Sequence, residues 1–236
     1  MVMREIQVAD QSLVVFELDD LCDSVTGRAL TGAWVWDSAL VLAEWLAAAQ
    51  DQLEFSLRGK SVIELGAGAG LPGLAAALLG ASRVVLTDVG ALIPGLRKNV
   101  EANGLGDRVE VSELVWGSDE SVGELGEFEL VLMSDVFFDA EDMAALAKTL
   151  RKVCKRGTRI WAASEGRPWT GECLNELEKE GFGIVELASE LAPLVGAKEE
   201  SDSVSLYSLI PPYVGDNVIA VGVSEFVTNM EPNNYE

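Results

Sequence analysis
From Ser61 onward the chain alternates short, mostly apolar runs with longer stretches whose apolar residues recur every three to four positions. The first kind reads as buried strands and the second as helices packed on them. Strands are predicted at Ser61–Ile63, Arg83–Thr87, Val109–Val115, Phe128–Met133, Arg159–Ala163, Gly183–Leu187 and Val204–Ile210. Helices are predicted from Leu71 to Gly80, Ala91 to Asn103, Glu141 to Cys154 and Thr170 to Glu180. Repeated strand–helix units imply an α/β fold, a mostly parallel sheet with helices on both faces. The link between the last two strands is too short for a normal crossover helix, so they are expected to form an antiparallel terminal hairpin. Before Ser61, residues 7–21 alternate loosely and suggest a small hairpin, and Thr26-Gly27 reads as a turn. A helix over Ser38–Gln50 follows, with Leu42, Trp45, Leu46 and Ala49 on one face and Asp37 placed to cap it. These elements divide the chain into an N-terminal β extension (1–30), a main domain (31–210) and an acidic tail (211–236). In that tail, Val218–Val223 could add an edge strand and the end is expected to be disordered.

Residues 64–70, Glu-Leu-Gly-Ala-Gly-Ala-Gly, join the first strand of the alternation to its helix. Glycines at such a junction let backbone approach a ligand that any Cβ would hold off. Pro72 in the first turn and Gly80 past the end frame the helix. The next strand ends in Asp88, about 20 residues after the glycines, where an acid can accept hydrogen bonds from ribose hydroxyls. Together these features point to a nucleoside cofactor. The dinucleotide fingerprint is not met, because Leu71 stands where its third glycine belongs if it starts at Gly66. Ligands of open α/β sheets sit beyond the carboxyl ends of the strands, where Glu64–Gly70, Asp88, Trp116 and Asp135 all fall.

Composition narrows the chemistry further. The 236 residues carry a formal charge of −22 and no histidine. Missing histidine removes Ser-His and Cys-His nucleophile pairs, histidine bases and the common zinc sites. Cys22, Cys154 and Cys173 are scattered and not at metal-ligand spacing, so no metal is expected, only buried or idle thiols in a reducing compartment. With no basic start or apolar stretch in Met1–Glu5, a cytosolic or nuclear setting is expected. The acidity opposes tracking a phosphate backbone and favours a basic protein partner. The one dense basic cluster, Arg151-Lys152 with Lys155-Arg156, falls at a predicted helix end, where cations suit the dipole. Pro211-Pro212-Tyr213 mimics part of a base-methylating motif but follows the last strand instead of the fourth.

In order and spacing, Thr31-Gly-Ala-Trp-Val-Trp36-Asp37, Glu64 through Gly73, Thr87-Asp88, Leu114-Val-Trp116-Gly117 and Ser134-Asp135-Val-Phe-Phe138-Asp139 form one set. This set resembles methyltransferase family 16, the non-SET, seven-strand, S-adenosylmethionine (SAM)-dependent protein lysine methyltransferases. The resemblance spans about residues 30–210 and implies a class I methyltransferase, Rossmann-like sheet of seven strands. It implies SAM as cofactor, S-adenosylhomocysteine as product, and a protein substrate with a basic segment, in place of nucleic acid or membrane. A monomer is the expected state. Trp36 would lie against the cofactor, Gly66, Ala67, Gly68 and Gly70 would form the loop at its methionine end, and Asp88 would hold the ribose. Trp116 would meet the adenine region, Ser134 would border the cofactor, and Glu64 would support the loop or the methionine amine. Asp135 would position the acceptor nitrogen. The family pattern Asp-x-x-Tyr reads here Asp135-Val-Phe-Phe138, which keeps an aromatic wall and loses a hydroxyl. Lysine is the implied acceptor, with arginine open. A SAM-binding module without turnover and a small-molecule methyltransferase on the same fold are other readings, and an NAD-dependent dehydrogenase, opposed by Leu71 and the missing histidine, comes last.

Overall fold
The computed structural model describes residues 1–18, 22, 31–52, 55–122, 125–187 and 204–212. The predicted turn at Thr26-Gly27, the strand at 218–223 and nearly all of the tail lie outside them. A seven-stranded sheet forms the centre, built from β3 (Ser61–Leu65), β4 (Arg83–Asp88), β5 (Val109–Glu113), β6 (Phe128–Ser134), β7 (Cys154–Glu165), β8 (Gly183–Leu187) and β9 (Val204–Ile210). Its order is β5-β4-β3-β6-β7-β9-β8. β9 is the reversed strand, antiparallel to both β7 and β8, as the terminal-hairpin expectation required. Because the order reverses between β3 and β6, the strands' carboxyl ends open into a crevice there.

Alternate residues of each strand face opposite layers. Val62, Val84, Leu86, Leu130, Leu132 and Trp161 join one core, packed on α1 (Asp37–Gln52), α2 (Leu71–Leu78) and α3 (Ile93–Ala102). Ile63, Val85, Val131, Met133 and Ile160 join the other, under α4 (Asp119–Val122), α5 (Met143–Val153) and α6 (Thr170–Lys179). Leu42, Trp45, Leu46 and Ala49 of α1 are all buried, as their spacing predicts, and Trp45 meets Trp161 edge-on at 6.0 Å. Two helices begin later than their apolar pattern suggests. α3 and α5 are each preceded by a 3₁₀ turn, Gly90–Leu92 and Ala140–Asp142. Pro94 in the first turn of α3 has no N–H to continue the ladder from upstream, which fits the first of these boundaries. β7 starts at Cys154 instead of Arg159, so the basic cluster straddles a junction and does not sit wholly on a helix end. Its helical half is neutralised locally, Arg151 by Glu180 at 2.7 Å and Lys152 by Asp119. Cys22 is exposed, Cys154 partly buried and Cys173 buried, and all three are unpaired. Burial pushes the Cys154 thiol up to about 12, where it holds no reactive thiolate near neutrality.

The N-terminal hairpin starts and ends earlier than its alternation over 7–21 indicates. β1 (Val2–Val8) pairs antiparallel with β2 (Gln11–Glu17) and sends Ile6, Val8, Leu13 and Val15 into the first core. The other edge of β2 meets α3, through two asparagine side chains. Val14 N–H donates to Asn103 Oδ1 at 2.8 Å and Asn103 Nδ2 returns a bond to Val14 O at 2.7 Å. Phe16 N–H donates to Asn99 Oδ1 at 2.8 Å, and Asn99 Nδ2 donates to Phe16 O at 3.3 Å. Four helical residues rise about 6 Å and two strand residues about 6.7 Å, so side chains four apart can serve main-chain groups two apart. The edge is thereby satisfied without a third strand. Below the hairpin, Leu18 N–H donates to Ala33 O at 3.2 Å. Glu17 accepts from Val35 N–H at 2.8 Å and from Arg4 at 3.3 Å. The hairpin therefore holds the segment 31–36 in place.

Asn99 is buried and also donates to Ala69 O at 2.9 Å. Asn99→Ala should lower stability by about 2–3 kcal/mol in urea unfolding, since it removes the partner of the partly buried Phe16 N–H and the buried bond to Ala69 O. Asn103→Ala, at a less buried site, should cost less. A change below about 0.5 kcal/mol in both would show that the hairpin is held by its apolar face alone.

Candidate active site
Strand β3 ends at Leu65, and the chain reverses over Gly66, Gly68 and Gly70, each at positive φ (64°, 56° and 83°). Gly68 must be glycine on a second count, because a Cβ there would collide with the carbonyl of Gly32. At Gly66 a Cβ would stand 3.1 Å from Val136 and 3.3 Å from the Trp116 ring, inside the crevice. Two carboxylates hold the loop. From the front, Asp88 Oδ2 accepts the Gly68 N–H at 2.7 Å while Oδ1 accepts the Val89 N–H, also at 2.7 Å. From behind, Glu64 Oε2 accepts the Gly73 N–H in the first turn of α2 at 2.8 Å. Thr87 adds a bond from Oγ1 to Glu64 O at 2.7 Å, joining β3 and β4.

The loop floors a cavity of about 810 Å³, within the size range of small-molecule sites. Of the residues expected at the site, Trp36, Gly66, Ala67, Gly68, Gly70, Asp88, Trp116, Ser134, Asp135 and Phe138 all line it. Glu64 does not line it. It is wholly buried behind the loop, and its Oε1 has no hydrogen-bond partner among the described protein atoms. Burial pushes its carboxyl well above the ordinary 4.5, the Gly73 N–H draws it back, and Asp88's charge adds to the rise. Burial also raises Asp88, against the pull of its two N–H donors. Pro211 and Pro212 are not part of the lining.

Trp116 is placed by a turn in which Gly117 N–H donates to the buried Thr149 hydroxyl at 2.9 Å. Trp36 anchors its indole N–H on Thr31 O at 3.1 Å and faces Trp34 at 6.1 Å between ring centres. Phe137 is fully buried, whereas Phe138 is half exposed at the cavity rim, 6.3 Å from the Trp116 ring. Asp135 has φ 56°, uncommon for a residue with a side chain, and its N–H is fixed on Ala163 O at 2.8 Å. Such outliers gather at functional sites.

Sequence reasoning misses Arg167. Its Nη1 donates to Asp135 Oδ1 at 2.6 Å and its Nη2 to Glu165 Oε2 at 3.1 Å. Its guanidinium lies 5.4 Å from the Trp36 ring centre. The rule that ligands gather beyond strand carboxyl ends would have found it had β7 been read through to Glu165. Trp34, Val115 and Trp169, all exposed at the mouth, are also absent from the sequence-based set.

The cavity can thus take a nucleoside against Asp88 and the bare glycine loop, and a cationic or amine group at Asp135. A family model described as lysine methyltransferase matches residues 21–186, well over half of the chain. The chain belongs to the lysine methyltransferase family. Among its relatives, the mouse protein N-lysine methyltransferase METTL21A is 40% identical over 134 residues, covering 56% of this chain and 59% of that protein. Mouse EEF1A lysine methyltransferase 3 is 38% identical over 141 residues, covering 59% of this chain and 58% of that one. The matches span just under six-tenths of these relatives' length. Among solved structures, the T. thermophilus 16S rRNA N2 G1207 methyltransferase RsmC, in complex with AdoMet and guanosine, superimposes with a TM-score of 0.61 at 20% identity. That overlay covers 89% of this chain and 50% of RsmC, and it shows a shared methyltransferase fold. The family assignment made from the sequence motifs is borne out, and the match begins earlier, at residue 21 instead of about 30.

Glu64 provides a pH test. A buried acid whose folded pKa is raised binds more protons folded than unfolded, so it costs stability as pH climbs above its ordinary 4.5. Glu64→Gln removes that cost and still offers an oxygen to Gly73. Its melting temperature relative to wild type should therefore rise from pH 5 to pH 8. An unchanged difference across that range would mean that Glu64 is ionised throughout.

Proposed function
We propose that this protein transfers a methyl group from SAM to the side-chain nitrogen of a lysine in a protein substrate. The observation that carries the reading is the meeting, in one cavity, of a glycine loop pinned by Asp88 and an acceptor carboxylate, Asp135, in a strained backbone. Family membership and the methyltransferase fold support it.

In this reading Gly66, Ala67, Gly68 and Gly70 lie along the methionine end of the cofactor, where their backbone leaves room. Asp88 uses its remaining lone pairs for the ribose hydroxyls, Trp116 meets the adenine region, and Ser134 borders the cofactor. Trp36 covers the cofactor from the opposite wall. Glu64 acts from behind by fixing the first turn of α2. Bound SAM supplies a methyl group already activated by its sulfonium, leaving the protein with alignment as its main task. Asp135 orients the acceptor amine, and Phe138 at the rim gives the amine an aromatic approach. Phe138 carries no hydroxyl and can contribute packing only.

The net charge of −22 favours a basic segment as the substrate and opposes nucleic acid. RsmC shares the fold and acts on ribosomal RNA by its name, but fold alone does not fix the substrate.

SAM, and not NADH, should quench the tryptophan fluorescence, since Trp36 and Trp116 both line the cavity. Asp88→Ala should weaken SAM binding at least tenfold, while Asp135→Ala should bind SAM normally and lose transfer. Methyl-labelled SAM incubated with a cell extract should label a protein band with wild type and not with Asp135→Ala, and hydrolysis of the band should yield methyl-lysine. Label confined to small molecules would overturn the protein-substrate reading. SAM binding without label in any fraction would indicate a binding module. Methyl-arginine in the band would correct the acceptor.

A further inference from the structure
Arg167 is the one cation among the described residues lining the cavity, and it sits at the acceptor end. Four acidic groups bear on that space from separate elements. Asp88 ends β4, Asp135 follows β6, Asp142 precedes α5, and Glu165 ends β7 and reaches the cavity only through Arg167. The guanidinium bridges Asp135 and Glu165, and the three side chains are 19%, 10% and 26% exposed for Arg167, Asp135 and Glu165. Water screens such a cluster poorly, so its net charge is felt by whatever binds beside it. Its main chain is also fixed, because Arg167 N–H donates to Glu165 O at 2.9 Å and to Thr170 Oγ1 at 3.3 Å.

Resting on the reading above, we propose that Arg167 is the positioning residue that sets the protonation of the acceptor amine. It takes Oδ1 of Asp135, so Oδ2 is the oxygen left for the amine. It also reduces the bridge from two negative charges to one. Two unopposed carboxylates would hold the incoming lysine as ammonium, which has no lone pair to offer. With Arg167 permanently charged between them, the proton on the lysine is the one that can leave, and it passes to water. The neutral nitrogen then forms a bond to the methyl carbon with its lone pair. The carbon–sulfur bond breaks with its electrons on sulfur, and the product is a methylammonium beside Asp135. The same guanidinium lies 5.4 Å from the Trp36 ring centre, but Trp36 is held independently by its indole N–H on Thr31 O.

The test follows label transfer from SAM to cell-extract protein between pH 6.5 and 9.5, with SAM affinity measured separately by tryptophan fluorescence. Arg167→Met should bind SAM within about threefold of wild type. Its transfer at pH 7 should fall about tenfold and return towards pH 9.5, an acid limb displaced upward by about one unit. Arg167→Lys, which keeps the charge, should leave the limb in place even where its maximal rate drops. Glu165→Gln removes a negative charge and should move the limb the other way. An Arg167→Met limb that coincides with wild type would overturn the proposal, whatever the rate. If that variant fails to bind SAM, a Glu165→Gln limb that does not move overturns it alone. Wild-type protein that labels nothing would instead overturn the functional reading, and this proposal with it.

Discussion
The hydrogen bond from Gly68 N–H to the Asp88 carboxylate is the contact on which the rest of the site depends. It joins the turn after β3 to the tip of β4, and so converts two adjacent strand ends into one rigid floor. Bringing a carboxylate to this loop is favourable because the Gly68 N–H is turned to it, while Ala67 N–H is spent on Thr87 O and Gly70 N–H on Ala67 O, and the start of α2 adds its positive end. Glu64 pulls the same segment from the opposite side, through Gly73. The loop is clamped between two acids, and the charge of Asp88 adds to the cost of ionising the buried Glu64. The carbonyl of Gly32 then rests on Gly68 so closely that no side chain fits between them. Through that contact segment 31–36, with Trp34 and Trp36, takes its position from the loop as well as from the hairpin.

Most of the sheet is legible in the sequence because its strands are short, apolar and punctuated by glycine or acid at their carboxyl ends. β8 and β9 agree with their expected limits. The errors fall where a local pattern meets a tertiary partner. Val115 extends the apolar run of β5, but β4 ends at Asp88, whose carbonyl takes the last rung from Leu114 N–H, and with no further partner the strand stops at Glu113. Cys154 to Thr158 read as helix end and loop. Thr158, buried, bonds through its hydroxyl to Phe128 O and draws the segment into the sheet beside β6. The glycine loop, Asp88 and Asp135 are legible because backbone geometry and strand position single them out. Glu64 is legible as important but not in its place, since a strand's alternation cannot say how deep a carboxylate lies.

The acceptor end of the cavity is where this chain differs most from what its motifs imply. Phe138 occupies the position of the family tyrosine but stands half exposed at the rim, stacked loosely near Trp116. The polar contact to Asp135 comes from Arg167 instead, 32 residues away in sequence. A motif describes neighbours along the chain, and this partner arrives along a different strand. The carboxylate that a motif presents as free is therefore half of an ion pair.

The asparagine pair that fastens the hairpin has a geometric corollary. A helix standing in for a strand advances about 0.7 Å too little at each rung, because its repeat is about 6.0 Å against about 6.7 Å. Flexible amides absorb that difference once, as Asn99 and Asn103 do with Phe16 and Val14. By a third rung the offset would approach half the length of a hydrogen bond. A helix can thus act as a vernier against a strand for two teeth, and a longer hairpin on this face would need a true neighbouring strand.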